Sequence, residues 1–139
     1  MKCETITDNP EYPDKTEVGR FGENVACVYY EKEGFEIIDR NFNCNAGEID
    51  IVAKKKDKLV FIEVKSRINF ETIKPFEAVD KSKRFKIIKT AKYYLKTRSI
   101  KLSDYYMRFD IANIFIKKFP TDYTIEIFKN AYDEKGKLI

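Results

Sequence analysis

The sequence predicts a single α/β domain in which a mixed central β-sheet is flanked by α-helices, in the order α-β-β-β-α-β-β. Two stretches place apolar residues at the spacing of a helix, and five shorter stretches have the apolar or alternating pattern of strands. The 139 residues and 43% hydrophobic content fit one domain with a packed core. We expect a flexible leader over residues 1–15, the domain over 16–132 and a polar tail over 133–139.

The first helix is predicted over residues 16–33. Gly34 follows it as a natural C-terminal stop, because glycine readily adopts the left-handed backbone that ends many helices. The predicted apolar arc of this helix consists of Val18, Phe21, Val25 and Val28.

Three strands are predicted next, over residues 35–42, 48–54 and 59–67. An Asn- and Gly-containing segment over 41–47 indicates a turn or an edge irregularity between the first two strands. The basic run over 54–58 indicates an exposed hairpin tip between the second and the third. These two strands should therefore form an antiparallel hairpin.

A second long helix is predicted over residues 76–97. Pro75 suits its start, because proline has no N–H to lose in a first turn. Strands over 107–116 and 123–128 complete the order. The apolar arc of the second helix consists of Ile87, Ile88, Ala91 and Leu95.

The composition excludes several kinds of active site. Histidine is absent, which rules out Ser-His-Asp and Cys-His nucleophilic sites and imidazole ligands to zinc. Cys3, Cys27 and Cys44 show no Cys-x-x-Cys spacing, so we expect free thiols in a reducing compartment. The formal charge of +4 is mildly basic and does not by itself indicate nucleic acid.

Acidic and basic residues interrupt two of the apolar strands where solubility does not require them. The hairpin tip is centred on Lys56 and Asp57. Asp50 then lies opposite Glu63, and Lys65 shares the face of Glu63. Directly paired residues have Cβ atoms about 4.5–5.5 Å apart, which is close enough for two carboxylates to share one ion.

This group has the chemistry of a divalent-cation site. Mg²⁺ or Mn²⁺ is held by oxygen ligands and keeps coordination positions for water and phosphate. Asp50 and Glu63 supply carboxylates, and the main-chain carbonyl of Val64 is a candidate third ligand. Lys65 suits orientation of water or stabilisation of charge on a phosphate, because an ordinary lysine pKa near 10.4 makes it a poor base at neutral pH.

Several short blocks, which occur in one order over about residues 19–128, carry a family resemblance. The chain resembles the YraN family of bacterial proteins, and its Asp…Glu-x-Lys pattern resembles the PD-(D/E)xK nuclease superfamily. The resemblance implies a restriction-endonuclease-like core similar to that of archaeal Holliday-junction resolvases. The blocks are Gly22-Glu23-Asn24-Val25-Ala26, Arg40-Asn41-Phe42, Gly47-Glu48-Ile49-Asp50, Phe61-Ile62-Glu63-Val64-Lys65-Ser66-Arg67 and Arg108-Phe109-Asp110.

The resemblance puts Asp50, Glu63 and Lys65 at the metal and catalytic positions. It also adds Glu23, from the first helix, as a further metal ligand. On the sequence alone, Glu23 is equally well explained as a surface acid, because it falls away from the apolar arc. Glu48 shares a face with Asp50, and either a supporting role beside Lys65 or a structural salt bridge would explain it.

Basic residues near the acid pair are candidates for contact with a nucleic-acid backbone. Lys81, at the border of the second helix's apolar arc, is a further candidate for phosphate contact. A solvated helix face is the competing explanation for the lysines of that helix. The residues expected to border the site are Arg67, Lys54, Lys55 and Lys56.

Two functions follow as alternatives. The first is a Mg²⁺- or Mn²⁺-dependent nuclease that acts on DNA, with branched or damaged DNA as the candidate substrate and a homodimer as a candidate assembly. The second is a non-catalytic nucleic-acid-binding protein that keeps the nuclease fold. A protein-interaction scaffold is a third and less specific possibility. The N-terminus lacks the apolar core of a signal peptide and no segment has the length of a membrane span, so we expect a cytoplasmic protein without a membrane partner.

Overall fold

The computed structural model of the chain describes residues 13–68 and 79–139. Within these ranges the chain forms helices and strands in the predicted α-β-β-β-α-β-β order, so the predicted α/β class is confirmed. Up to residue 12, the predicted leader lies outside the described residues. The elements are α1 (Lys15–Lys32), β1 (Glu36–Cys44), β2 (Gly47–Lys55), β3 (Lys58–Ile68), α2 (Lys81–Thr97), a short 3-10 turn (Leu102–Asp104), β4 (Tyr106–Lys118) and β5 (Asp122–Tyr132).

The five strands form one mixed sheet in the order β1-β2-β3-β4-β5. Strands β3 and β4 are parallel, and the other neighbours are antiparallel. A parallel step needs a crossover connection, and α2 is part of it. The mixed sheet with a helix on each face is the restriction-endonuclease-like core that the resemblance implies. In the parts of the chain that the structure describes, no helix is both long enough and apolar enough to span a bilayer.

Helix α1 has a capping residue at each end. The Asp14 carboxylate accepts the Glu17 N–H at 2.8 Å, which satisfies a backbone donor that the first turn leaves free. Gly34, with a φ of 92°, follows the last turn as predicted. The ends of α1 are therefore fixed by local sequence signals.

The hairpin of β2 and β3 has the predicted register. Pairing runs from Ile51 with Ile62 to Lys55 with Lys58, and the two-residue tip between them is exposed. The first hairpin is tighter than a turn over 41–47 would be, since β1 and β2 leave only residues 45–46 between them. Asn41, with a φ of 53°, is the irregularity in this segment.

The predicted start of the second helix is wrong. Asp80 has an extended backbone, and its carboxylate accepts the Lys83 N–H at 2.9 Å. Helix α2 therefore begins at Lys81 and not at Phe76. Phe76 itself and Pro75 lie outside the described residues.

A hydrophobic core lies on each face of the sheet. The core under α2 contains the whole predicted apolar arc of that helix. In α1 the prediction is wrong at Val28, which is 48% exposed because the helix turns its Ala26 and Tyr30 side to the sheet. The core under α1 includes Val18, Ala26, Tyr30, Ile51, Val60 and Ile62.

Candidate active site

At Asp50, the side chains of strand β2 change the face of the sheet to which they point. Ile49 packs in the core under α2, whereas Ile51 packs in the core under α1. Alternate residues of a regular strand share a face, so the residue between these two is directed along the sheet toward β3. On β1, Asn41 lies between the residues that pair with Ile49 and Ile51, and its left-handed backbone permits the twist.

The Asp50 side chain joins β2 to β3 at the point where the backbone pairing of these strands ends. Pairing of β2 with β3 ends at Ile51 and Ile62. One residue further, Asp50 Oδ2 accepts the Val64 N–H at 2.8 Å. The predicted approach of Asp50 to Glu63 therefore results from a side-chain contact and not from direct strand pairing.

Glu63 projects from β3 toward α2, and only 7% of it is exposed. Its Oε2 lies 2.5 Å from Lys83 Nζ and 3.6 Å from Lys65 Nζ. A side-chain hydrogen bond also joins Glu63 to Asp50. These four residues, Asp50, Glu63, Lys65 and Lys83, form one compact group that we call the acid–lysine cluster.

Burial raises the pKa of Asp50 from its ordinary value of 3.8 to about 8, and the charge and hydrogen bond of Glu63 act in the same direction. The Val64 N–H opposes this change, and the charge of Glu23 adds to it. The carboxyl of Asp50 therefore holds a proton at neutral pH. A divalent cation bound in its place would release that proton, because metal ligands must be deprotonated.

The two lysines of the cluster respond to it in opposite ways. The pKa of Lys65 is lowered, first by burial and then by the neighbouring ammonium group of Lys83, whose like charge disfavours a second charge beside it. Burial also acts to lower the pKa of Lys83, but the charge and hydrogen bond of Glu63 outweigh it, and the pKa of Lys83 is raised. Lys83 is therefore the stronger ion-pair partner of Glu63.

Glu23 lies at the edge of the cluster, on the side of α1. Its Oε1 accepts Asn41 Nδ2 at 3.1 Å and lies 3.6 Å from Arg40 Nη2. Its charge contributes to the raised pKa of Asp50. Contacts from β1 thus hold Glu23 near the acid pair, with 18% of its side chain exposed.

The donor set of the cluster fits a hard divalent cation that keeps several of its own waters. Two carboxylates, Asp50 and Glu63, supply anionic oxygens from adjacent strands. Among residues 13–68 and 79–139, no three Cys, Asp or Glu side chains converge as a larger metal-binding group. The remaining ligands would therefore be water, phosphate and main-chain oxygen, for which the Val64 carbonyl is the predicted candidate.

The structure brings one of the predicted basic contacts to the cluster and leaves two others at a distance. Arg67 lies on β3 four residues beyond Glu63, at the same end of the strand. Lys54 and Lys55 lie toward the far end of β2, about 13–17 Å along the strand from Asp50. A nucleic acid that touched both groups would have to follow the length of the hairpin.

Lys83 is the member of the cluster that sequence reasoning missed. The prediction chose Lys81 from the same helix, but Lys81 is exposed and its Nζ lies 5.9 Å from the centre of the Phe85 ring. The signal that could have identified Lys83 is Asp80, a good capping residue. A helix that begins after Asp80 carries Lys83 in its first turn, where it reaches Glu63.

An open groove of about 570 Å³ lies beside the cluster, between the first turns of α1 and the end of β3. Its walls include three cationic side chains and one acid, which are Lys15, Lys65, Arg67 and Glu23. The groove is therefore mostly basic where it meets Lys65, as a passage for a phosphate backbone would be.

A second buried acid lies on the other face of the sheet. Asp110, on β4, is fully buried, and its carboxylate accepts four hydrogen bonds of 2.6–2.9 Å. The donors are the Tyr30 hydroxyl, two nitrogens of Arg108 and the Asn130 N–H. Both oxygens are satisfied, so Asp110 joins α1, β4 and β5 as a structural anchor.

The sequence matches known proteins over most of its length. The sequence model of the uncharacterised protein family UPF0102 matches residues 22–114. A UPF0102 protein of Clostridium perfringens (strain SM101 / Type A) is 43% identical over 115 residues, which cover 83% of this chain and 93% of that protein. A UPF0102 protein of Clostridium botulinum (strain 657 / Type Ba4) is 40% identical over 116 residues, which cover 84% and 94%.

The matched segment contains the whole acid–lysine cluster together with Glu23. It begins at Gly22, the first residue of the blocks that carry the resemblance, and extends beyond Asp110. The chain therefore belongs to family UPF0102, the YraN family that its sequence predicts.

Proposed function

We propose that this protein is a nuclease that uses a divalent metal ion at the acid–lysine cluster to hydrolyse phosphodiester bonds in DNA. The observation that carries the proposal is the contact between the half-buried carboxyl of Asp50 and the buried carboxyl of Glu63, with ammonium groups beside them. Two acids held against each other lower stability, and such an arrangement is typical of a functional site.

Bound Mg²⁺ or Mn²⁺ would polarise the scissile phosphate and lower the pKa of a water molecule at the site. Asp50 and Glu63 would hold the ion, with the Val64 carbonyl and Glu23 as further candidate ligands. The Val64 N–H fixes Oδ2 of Asp50, and this anchors the carboxylate toward β3. The main-chain contact thereby sets the orientation of the ligand before any ion arrives.

Lys65 is the residue that we propose acts on the phosphate. It is half-buried, with 19% of its side chain exposed, and its Nζ lies 3.6 Å from Glu63. We assign it two tasks, the orientation of the attacking water and the stabilisation of negative charge that develops on the phosphate oxygens. The basic groove that Lys65 shares with Arg67 would guide the DNA backbone to it.

One observation favours the non-catalytic alternative. Lys83 already neutralises Glu63 at 2.5 Å, so the cluster does not require a metal ion for its charge balance. A protein that kept the nuclease fold only for binding DNA would need no more than this ion pair. The alternative predicts salt-sensitive DNA binding without metal-dependent cleavage.

A cleavage assay separates the two functions. Branched, nicked, single-stranded and linear duplex DNA would be incubated with Mg²⁺ or Mn²⁺ and the wild-type protein, Asp50→Asn, Glu63→Gln or Lys65→Ala. We expect cleavage of at least one substrate and a loss of about a thousandfold or more in each variant, as for other residues that act on the transition state.

Asp57→Asn is the matched control, because Asp57 lies on the exposed tip of the same hairpin and should leave cleavage unchanged. Cleavage retained by Asp50→Asn or Glu63→Gln would contradict the proposal. DNA binding without cleavage of any substrate would favour the non-catalytic alternative.

A further inference from the structure

Two ammonium groups share one carboxylate oxygen in the acid–lysine cluster. Lys83 Nζ and Lys65 Nζ both approach Oε2 of Glu63, at 2.5 Å and 3.6 Å. A metal ion held by Glu63 needs its carboxylate oxygens. Metal binding and the lysine contacts at Oε2 therefore compete.

The two lysines differ in how easily each can move away from the Glu63 carboxylate. Lys65 is on the same strand as Glu63, two residues away, and 19% of its side chain is exposed. Lys83 comes from α2, across the site from β3, and 40% of its side chain is exposed. Its backbone stays fixed because Asp80 caps its N–H. Lys83 can therefore swing to solvent by side-chain rotation alone.

The charges of the cluster also favour replacement of Lys83 by the metal ion. A divalent cation would need both carboxyls, Asp50 and Glu63, in their ionised form, and their two negative charges would only balance the two lysines of the cluster. A divalent cation added to that balanced group would leave an excess of positive charge. Departure of Lys83 toward solvent removes one of those charges and frees Oε2, whereas Lys65 stays beside the acid.

We propose that Lys83 is an exchangeable counter-ion that neutralises Glu63 until the metal ion binds, and that then binds a phosphate group of the nucleic acid. The inference rests on the proposed function, since it assumes a metal ion between Asp50 and Glu63. It adds a substrate-binding residue from α2 and couples the arrival of the metal to the appearance of a free cation at the site.

Calorimetric titration with Mn²⁺, in the absence of DNA, tests whether Lys83 competes with the metal ion for Glu63. Lys83→Met should bind Mn²⁺ about three- to tenfold more tightly than the wild type, an effect limited by the partial exposure of the ion pair. Lys83→Arg keeps the charge and should bind Mn²⁺ like the wild type. Lys92→Met is the matched control, because Lys92 is an exposed lysine of the same helix.

Salt-dependent binding of a DNA duplex tests whether the released Lys83 binds a phosphate group. With Ca²⁺, which prefers the same oxygen ligands, Lys83→Met should lower the slope of log affinity against log salt by about one phosphate contact. With a chelator present, the wild type keeps Lys83 on Glu63, so the variant should then show the wild-type slope.

Unchanged or weaker Mn²⁺ binding by Lys83→Met would overturn the exchange, and so would the same slope change with and without metal. If Mn²⁺ bound to neither the wild type nor Lys83→Met, the proposed metal site would fail, and this inference with it. Thermal unfolding of each variant establishes that the fold is kept, and Lys83→Gln replaces the Met variant if that one does not fold.

Discussion

Two buried acid groups lie on opposite faces of one sheet, and their partners differ. Asp110 accepts four hydrogen bonds from neutral and cationic donors, which satisfy both of its oxygens. Asp50 accepts one main-chain N–H and otherwise meets another carboxyl, that of Glu63. Low exposure alone therefore does not separate a structural acid from one that we propose to be functional. The donors around it do.

The comparison also shows what each group contributes to the fold. The Asp110 group joins three elements and should be part of what stabilises them. In the acid–lysine cluster, burial and the neighbouring Glu63 raise the pKa of Asp50 to about 8, which means that its charged form is disfavoured. Replacement of one acid should therefore destabilise the protein, and replacement of the other should stabilise it.

The largest effect on stability is expected at Asp110. Asp110→Ala would leave Arg108 partly buried without its counter-charge and the buried Tyr30 hydroxyl without its acceptor. We expect the free energy of unfolding to fall by about 3–5 kcal/mol, as when one partner of a buried ion pair is removed. Urea unfolding measures this, and a loss below about 1 kcal/mol would contradict the structural role.

Asp50→Asn should have the opposite sign, with a pH dependence. Folded protein holds the Asp50 proton up to about pH 8, whereas the unfolded chain releases it near the ordinary pKa of 3.8. Between these values the folded state binds more protons, so the free energy of unfolding of the wild type falls as pH rises. The neutral side chain of Asp50→Asn removes this dependence.

Unfolding curves from pH 5 to pH 9 test the sign. Asp50→Asn should be more stable than the wild type by about 3 kcal/mol at pH 8 and by about 1 kcal/mol at pH 5, because the loss in the wild type begins near pH 3.8. Asp57→Asn should keep the wild-type profile, because Asp57 is exposed at the hairpin tip. Parallel profiles for the wild type and Asp50→Asn would show that burial does not strain this acid.

A smaller effect is expected where α1 meets β3, next to Glu23. A Cβ added at Gly22 would collide with Ser66 Oγ, whereas a Cβ at Gly19 has no atom within 4 Å. Gly22→Ala should therefore lower the free energy of unfolding by about 1 kcal/mol, while Gly19→Ala should be neutral or stabilising because alanine favours helix.

A double variant identifies the cause of that loss. Ser66→Ala removes the oxygen that the new Cβ meets, so Gly22→Ala with Ser66→Ala should recover part of the stability. Thermal unfolding of the four proteins completes the cycle. Equal stabilities for the two glycine variants would contradict the close approach of α1 to β3 at Gly22.

Local patterns in the sequence were enough to predict the fold and the proximity of Asp50 to Glu63. The charged tip over residues 54–58 centres the hairpin correctly, and that register leaves Asp50 one residue beyond the last pair, where its side chain reaches β3 beside Glu63. The direction of the Asp50 side chain could not be predicted. Ile49 and Ile51 pack on opposite faces of the sheet, and strand periodicity does not encode this change at Asp50.

The missing lysine has a similar explanation. Pro75 is a good helix start by its own chemistry, and a helix drawn from it makes Lys83 one of many surface lysines. Asp80 begins α2 instead, so that Lys83 falls in a first turn directed at β3. The start of α2 at Asp80 depends on how the helix packs on the sheet, and local sequence signals do not specify those tertiary contacts.

Anomalous diffraction from crystals of the wild-type protein soaked in Mn²⁺ tests the central claim most directly. We predict one anomalous peak within about 2.5 Å of carboxylate oxygens of both Asp50 and Glu63, and none at Asp110, whose oxygens are already occupied by donors. The absence of a peak between Asp50 and Glu63 at saturating Mn²⁺ would contradict the account. A peak bound by only one of the two acids would contradict it as well.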